Sequence, residues 1–161
     1  MKTFIYVLLF ITGFFQKEAI NTKDLNRQAF YNAVKSESLK AIDEQIAAVQ
    51  ASGLKDKDAF EGTLLMKKAG LVKGSKNKLD LFKDGRIKLE TAIQNDNSNT
   101  EYRFMRLIIQ EHAPKIVKYR DELAADAAFI EKNFRNLSPG LQNIIIDYSK
   151  ESKTLKTTNL Q

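Results

Sequence analysis

The stretch Asn99-Thr-Glu-Tyr-Arg-Phe-Met-Arg-Leu-Ile-Ile-Gln-Glu-His-Ala-Pro-Lys-Ile116 decides how this chain folds. Wound as a helix, it places Phe104, Leu107 and Ile108 on one apolar strip and Tyr102, Met105 and Ile109 on another. Arg103, Arg106 and Gln110 remain as a narrow polar line. A helix so nearly apolar all round belongs in the middle of a bundle. Pro114 lacks a backbone N–H and ends it. The only histidine of the chain, His112, falls in its last turn, where a cation complements the helix dipole and the last carbonyls need donors.

The charged residues of this stretch, Glu101, Arg103, Arg106 and Glu111, form a candidate anion or ion-pair cluster. Two guanidiniums about one turn apart have the geometry of an anion clamp, holding a carboxylate or phosphate bidentately. A mostly buried helix, however, keeps its arginines only by pairing them with acids of neighbouring helices. Glu61, Asp84, Asp121 and Glu122 stand ready on both sides. Internal pairing is the expectation.

Outward from this helix the pattern stays helical. Ala29, Phe30, Ala33 and Val34 follow three-four spacing, as do Leu39, Ile42, Ile46 and Val49, with Ser36 or Ser38 as a cap between them. A third helix is predicted over 58–68, carrying Phe60, Leu64 and Leu65. It ends in a glycine-bearing loop over 69–75, where Gly70 and Gly74 favour left-handed termination. A fourth, over 76–95, turns Phe82, Gly85, Leu89, Ala92 and Ile93 to one face, the two small residues admitting a close neighbour. Beyond Pro114, the residues Ile116, Tyr119, Leu123, Ala127, Ile130 and Phe134 continue the spacing. Ser138-Pro139 caps a last helix that buries Leu141, Ile144, Ile145 and Tyr148. No segment alternates like a strand. The expected class is all-α, antiparallel helical pairs stacked as a short arc or bundle over a single domain at 20–150, with a frayed polar tail at 151–161.

The segment Gly85-Arg-Ile-Lys-Leu-Glu-Thr-Ala-Ile-Gln-Asn-Asp-Asn-Ser-Asn-Thr-Glu-Tyr-Arg-Phe-Met-Arg-Leu107 resembles the junction between two tetratricopeptide units. Gly85, Leu89 and Ala92 precede a turn at Asp96, and a helix then opens at Asn99 with an aromatic at Phe104. The resemblance implies a repeat-like stack of helical pairs and a protein-binding role. The chain also resembles exported bacterial all-helical proteins that carry the same Glu-Tyr-Arg-Phe helix, which implies a fold and no activity.

At the N-terminus, Met1-Lys2 precedes an apolar run over 3–15 and the polar Gln16-Lys17-Glu18. That is the pattern of a secretory signal peptide, placed at 1–19, and the run is short for a bilayer span of roughly 20 residues. Export to the periplasm or the medium is the expectation. With no cysteine in the chain, neither a disulfide nor a lipidated cysteine is available, and the fold must rest on its core.

The same inventory narrows the chemistry. Cysteine nucleophiles are excluded, a serine triad has only His112 as base, and no Gly-x-Ser-x-Gly elbow accompanies it. One histidine without cysteine offers no usual metal set, and no acids are spaced as a calcium loop. No catalytic, metal or cofactor residue is assigned. Charge is concentrated in 67–88, where Lys67, Lys68, Lys73, Lys76, Lys78, Lys83, Arg86 and Lys88 face only Asp80 and Asp84. That excess of six equals the formal net charge of the whole chain, +6. This candidate basic surface suits an acidic protein face, anionic lipid headgroups or an acidic polysaccharide. Lacking interleaved aromatics, it does not suit nucleic acid. Membrane contact is available only through it or the N-terminal segment. The reading is an exported helical interaction module whose partner is another protein. The alternative is a small anion- or headgroup-binding protein or enzyme using Arg103 and Arg106.

Overall fold

Side-chain oxygens fix where four of the helices begin, each accepting from a backbone N–H that the helix leaves unsatisfied. Asn26 caps α1 (Arg27–Lys35), Ser38 caps α2 (Leu39–Ala51), Asn99 caps α5 (Thr100–His112) and Ser138 caps α7 (Pro139–Ser149), which has proline in its first turn. Both serines proposed between the first two helices are used. Ser36 closes α1 by donating to the Ala33 carbonyl, and Ser38 opens α2. The remaining helices are α3 (Asp58–Leu71), α4 (Ser75–Asn95) and α6 (Leu123–Asn133). This computed structural model describes residues 24–160, and the signal segment expected at 1–19 lies outside the described residues. Among the described residues the chain is all-α, with three short 3-10 turns and no strand. None of these helices is long and apolar enough to cross a membrane.

The most intimate pair is α3 with α4. Gly62 and Gly85 meet across it so closely that a Cβ on either would lie 2.5 Å from the other's carbonyl oxygen. The sequence identified Gly85 but not Gly62. The loop expected over 69–75 is a turn of three residues, 72–74. Helix α3 continues through Gly70 to Leu71, and only Gly74 adopts a positive φ, +86°. Gly70 ends nothing because Val72 already turns the chain in an extended conformation. The short turn makes the two helices antiparallel neighbours.

As its pattern requires, α5 lies in the core: ten of its thirteen residues are buried. Phe104 is fully enclosed, its ring packed against Tyr31 of α1 and edge-on against Tyr148 of α7, while Phe30 meets both Tyr31 and Phe60. Aromatic pairs in these tilted and edge-to-face arrangements contribute about 0.5–1.5 kcal/mol beyond their buried area.

Two expectations fail here. The helix expected to continue from Ile116 is interrupted by a 3-10 turn (Lys115–Val117) and by Lys118 in a left-handed conformation, which leaves Ile116 88% exposed. The tail over 151–160 is packed, not frayed. Leu155 is fully buried, Leu160 and Ser152 nearly so, and Asn159 donates to Glu131.

Candidate functional site

Arg103 and Arg106 both reach α6. Arg106 holds Asp126 bidentately, Nε to Oδ2 at 2.7 Å and Nη2 to Oδ1 at 2.8 Å, and gives Nη1 to Glu90 of α4 at 2.8 Å. Arg103 donates Nη1 to the same Asp126 at 3.2 Å and two bonds to the Asn97 carbonyl, its guanidinium lying over the Phe129 ring. Asp126 is wholly buried and Arg106 nearly so. Burial opposes the Arg106 charge, but the hydrogen bonds and charge of Asp126 and Glu90 outweigh it and raise its pKa above the ordinary arginine value. Of the acids expected as partners, Glu122 alone comes near, at 4.0 Å, and Glu61 pairs instead with Lys88. The main partners are Asp126 and Glu90, neither of which the sequence singled out.

Glu101 and Glu111 do not join this cluster. Glu101 faces α1, accepting from Arg27 Nε at 2.8 and 3.0 Å and from the Tyr31 hydroxyl. Glu111 faces α7 and the tail. It accepts from the Tyr148 hydroxyl, from Ser152 Oγ and from the backbone N–H groups of Lys153 and Thr154. Burial works against the Glu111 charge, yet these four donors hold its pKa below the usual glutamate value. His112 closes the helix as expected, its Nδ1 donating to the Ile108 carbonyl at 2.9 Å.

Beside the ion pairs lies a cavity of about 270 Å³ between α4, α5 and the 119–122 turn. Glu90 and Arg106 form one wall, and the Tyr119 hydroxyl donates to Glu90. Burial first, and then the Glu90 charge, push the Tyr119 pKa far above that of an ordinary tyrosine, so it stays a donor. Arg86 stacks over the Tyr119 ring, 4.6 Å from its centroid. Gln110 also lines the cavity; it is 1% exposed and its Oε1 has no hydrogen-bond partner. A second hollow of similar volume lies beside His112 and Lys67.

The basic segment divides in two. Lys67 pairs with Glu37, Lys68 with Asp43, Lys76 with Asp80, and Lys88 with Asp58 and Glu61, while Arg86 is stacked as described. Lys73, Lys78 and Lys83 are exposed and make no ion pair among the described residues. Among the described residues four large apolar side chains are left exposed: Leu39, Leu79, Ile87 and Ile116. Two of them are on α4, two helical turns or roughly 12 Å apart, with Lys83 between. Ile116 lies in the turn that leads into Tyr119, whose ring packs edge-on against Phe82 of α4.

No family model, curated protein or solved structure matches the chain.

Proposed function

We propose that the protein is an exported helical interaction module, its helix pairs stacked in the manner of tetratricopeptide units, that binds another protein along the outer side of α4. The observation that carries this reading is the stripe Leu79, Lys83 and Ile87. Two of the large exposed apolar side chains flank a lysine that no acid of the described chain neutralises. Apolar anchors beside unpaired cations fit a partner surface with an apolar ridge edged by carboxylates, where charge sets the approach and burial supplies the affinity. The tetratricopeptide-like junction and the signal-like N-terminal run support the same reading from the sequence.

The alternative use of Arg103 and Arg106 as an anion clamp or catalytic pair draws less support. Their donors already serve Asp126, Glu90 and the Asn97 carbonyl.

The test is capture of binding partners from the exported fraction of the native host, with the full protein and with the Leu79→Asp, Ile87→Asp double variant compared at equal melting temperature. A partner retained by the first and lost by the second supports the reading. The same partners on both, or none on either, overturns it.

A further inference from the structure

The surface that suits the outer side of α4, an apolar ridge edged by carboxylates, is present on α4 itself. Leu79 and Ile87 are 61% and 55% exposed. Within 79–87 the charged side chains are Asp80, Lys83, Asp84 and Arg86. Asp80 is engaged by Lys76, and Arg86 by the Tyr119 ring. The side chains of Lys83 and Asp84 are exposed and make no ion pair or hydrogen bond among the described residues. One stretch of helix thus offers two apolar anchors and one unpaired charge of each sign at adjacent positions.

Such a surface is complementary to a copy of itself turned end to end. A two-fold axis makes every contact reciprocal, residue i on j and j on i. With the axis beside Lys83, midway between the anchors, Leu79 comes level with Ile87 of the second copy and Ile87 with its Leu79. The two Lys83 side chains then converge, and their repulsion is relieved by Asp84 of the opposite copy. That carboxylate sits about 1.5 Å further along its helix and about 100° round it, within reach of so long a side chain. The inner face of α4 is already occupied, since Gly85 is closed against Gly62 of α3, and outward pairing leaves that contact intact. Two apolar side chains per copy make a small contact beside the roughly 800 Å² per partner of a stable complex. The pairing is therefore weak and grows with concentration. We infer that α4 pairs antiparallel with α4 of a second copy of this chain, Lys83 of each copy meeting Asp84 of the other. The inference names the partner in the docking role given to α4 and rests on that reading.

The experiment is sedimentation of the full protein at neutral pH over roughly 10 µM to 1 mM, the range of weak association. The parent should pass from monomer toward dimer in this range, and the Leu79→Asp, Ile87→Asp double variant should stay monomeric. Lys83→Asp and Asp84→Lys should each be monomeric alone, because each places like charges together across the axis. Mixed in equal amounts they should associate at least about tenfold more tightly than either does alone, since the mixture restores both opposite-charge contacts. Both substitutions are at exposed positions, and unchanged melting temperatures exclude misfolding as the cause. A parent that stays monomeric up to roughly 1 mM overturns the inference. So does a dimer that survives the double variant, or a mixture that associates no better than its components. If self-pairing fails while a different protein is still captured through Leu79 and Ile87, the inference falls and the docking reading of α4 stands. If both fail, that reading falls with it.

Discussion

Helices α4 and α5 both carry closely spaced cations, yet they use them differently. On α5 every charged side chain points into the protein and meets a partner from another element: Glu101 on α1, Arg103 and Arg106 on α6 and α4, Glu111 on α7 and the tail. On α4, Lys78 and Lys83 face solvent beside Leu79 and Ile87 and make no ion pair among the described residues. Charge on an enclosed helix is kept only where it is compensated, and so it becomes part of the architecture. Charge on the outer helix is free to be seen by another molecule. The difference separates residues that hold the fold from residues available for recognition.

The sharpest way to break this comparison is to hollow the inner helix. Phe104→Ala removes a fully buried ring wedged between Tyr31 and Tyr148 and should lower stability by about 3–5 kcal/mol in urea unfolding. A loss below about 1 kcal/mol would move the core elsewhere. Next in size is the crossing of α3 and α4. Gly62→Ala drives a methyl group to 2.5 Å from the Gly85 carbonyl oxygen, a clash with backbone that only a shift of the helix pair relieves. The expected cost is about 1–3 kcal/mol, read as a lower urea midpoint.

Glu111 sharpens the comparison through pH. Its pKa is about 4.5 in the ordinary state and lower in the fold, because four donors favour the carboxylate. The stability it contributes is therefore complete above about pH 4.5 and is lost as pH falls through the lower folded value. Glu111→Gln should flatten that part of the acid limb and loosen the tail, seen as faster amide exchange at Leu155. An acid limb identical to that of the parent would remove Glu111 as the anchor. The smallest effect belongs to the outer helix: Lys83→Met should leave the unfolding free energy within about 0.5 kcal/mol, and a larger loss would mean that Lys83 is structural.

The sequence revealed the inner helix and hid its partners for one physical reason. Three-four spacing is local, so Phe104, Leu107 and Ile108 announce a buried face, and Phe82, Gly85, Leu89, Ala92 and Ile93 name the inner side of α4 residue by residue. Pairing across helices is not local. Asp126 sits among alanines and reads as a solvated acid until α6 is laid against α5. Gly62 carries no local signal, because its meaning depends on Gly85 arriving opposite it. The tail read as frayed from its Ser, Thr and Lys content, whereas a single apolar residue, Leu155, and one anchoring carboxylate hold it down. Ile116 kept the spacing but lost the helix, because a left-handed residue, Lys118, breaks the phase that spacing assumes. Gln110 lay on the polar line from the start, and only the cavity beside it distinguishes it from the arginines.

Whether the α5 arginines hold the protein together is measured most directly by a double-mutant cycle between Arg106 and Asp126. Arg106 pairs bidentately with a carboxylate that has no solvent exposure. Arg106→Met should therefore leave Asp126 with the single longer contact from Arg103 and cost on the order of 3–5 kcal/mol in urea unfolding, and Asp126→Asn should cost a comparable amount. The double variant should lose clearly less than the sum, since each single change already forfeits the shared bonds. Arg106→Met within about 0.5 kcal/mol of the parent, or single losses that simply add, would contradict the claim and return the arginine pair to the role of an open binding site.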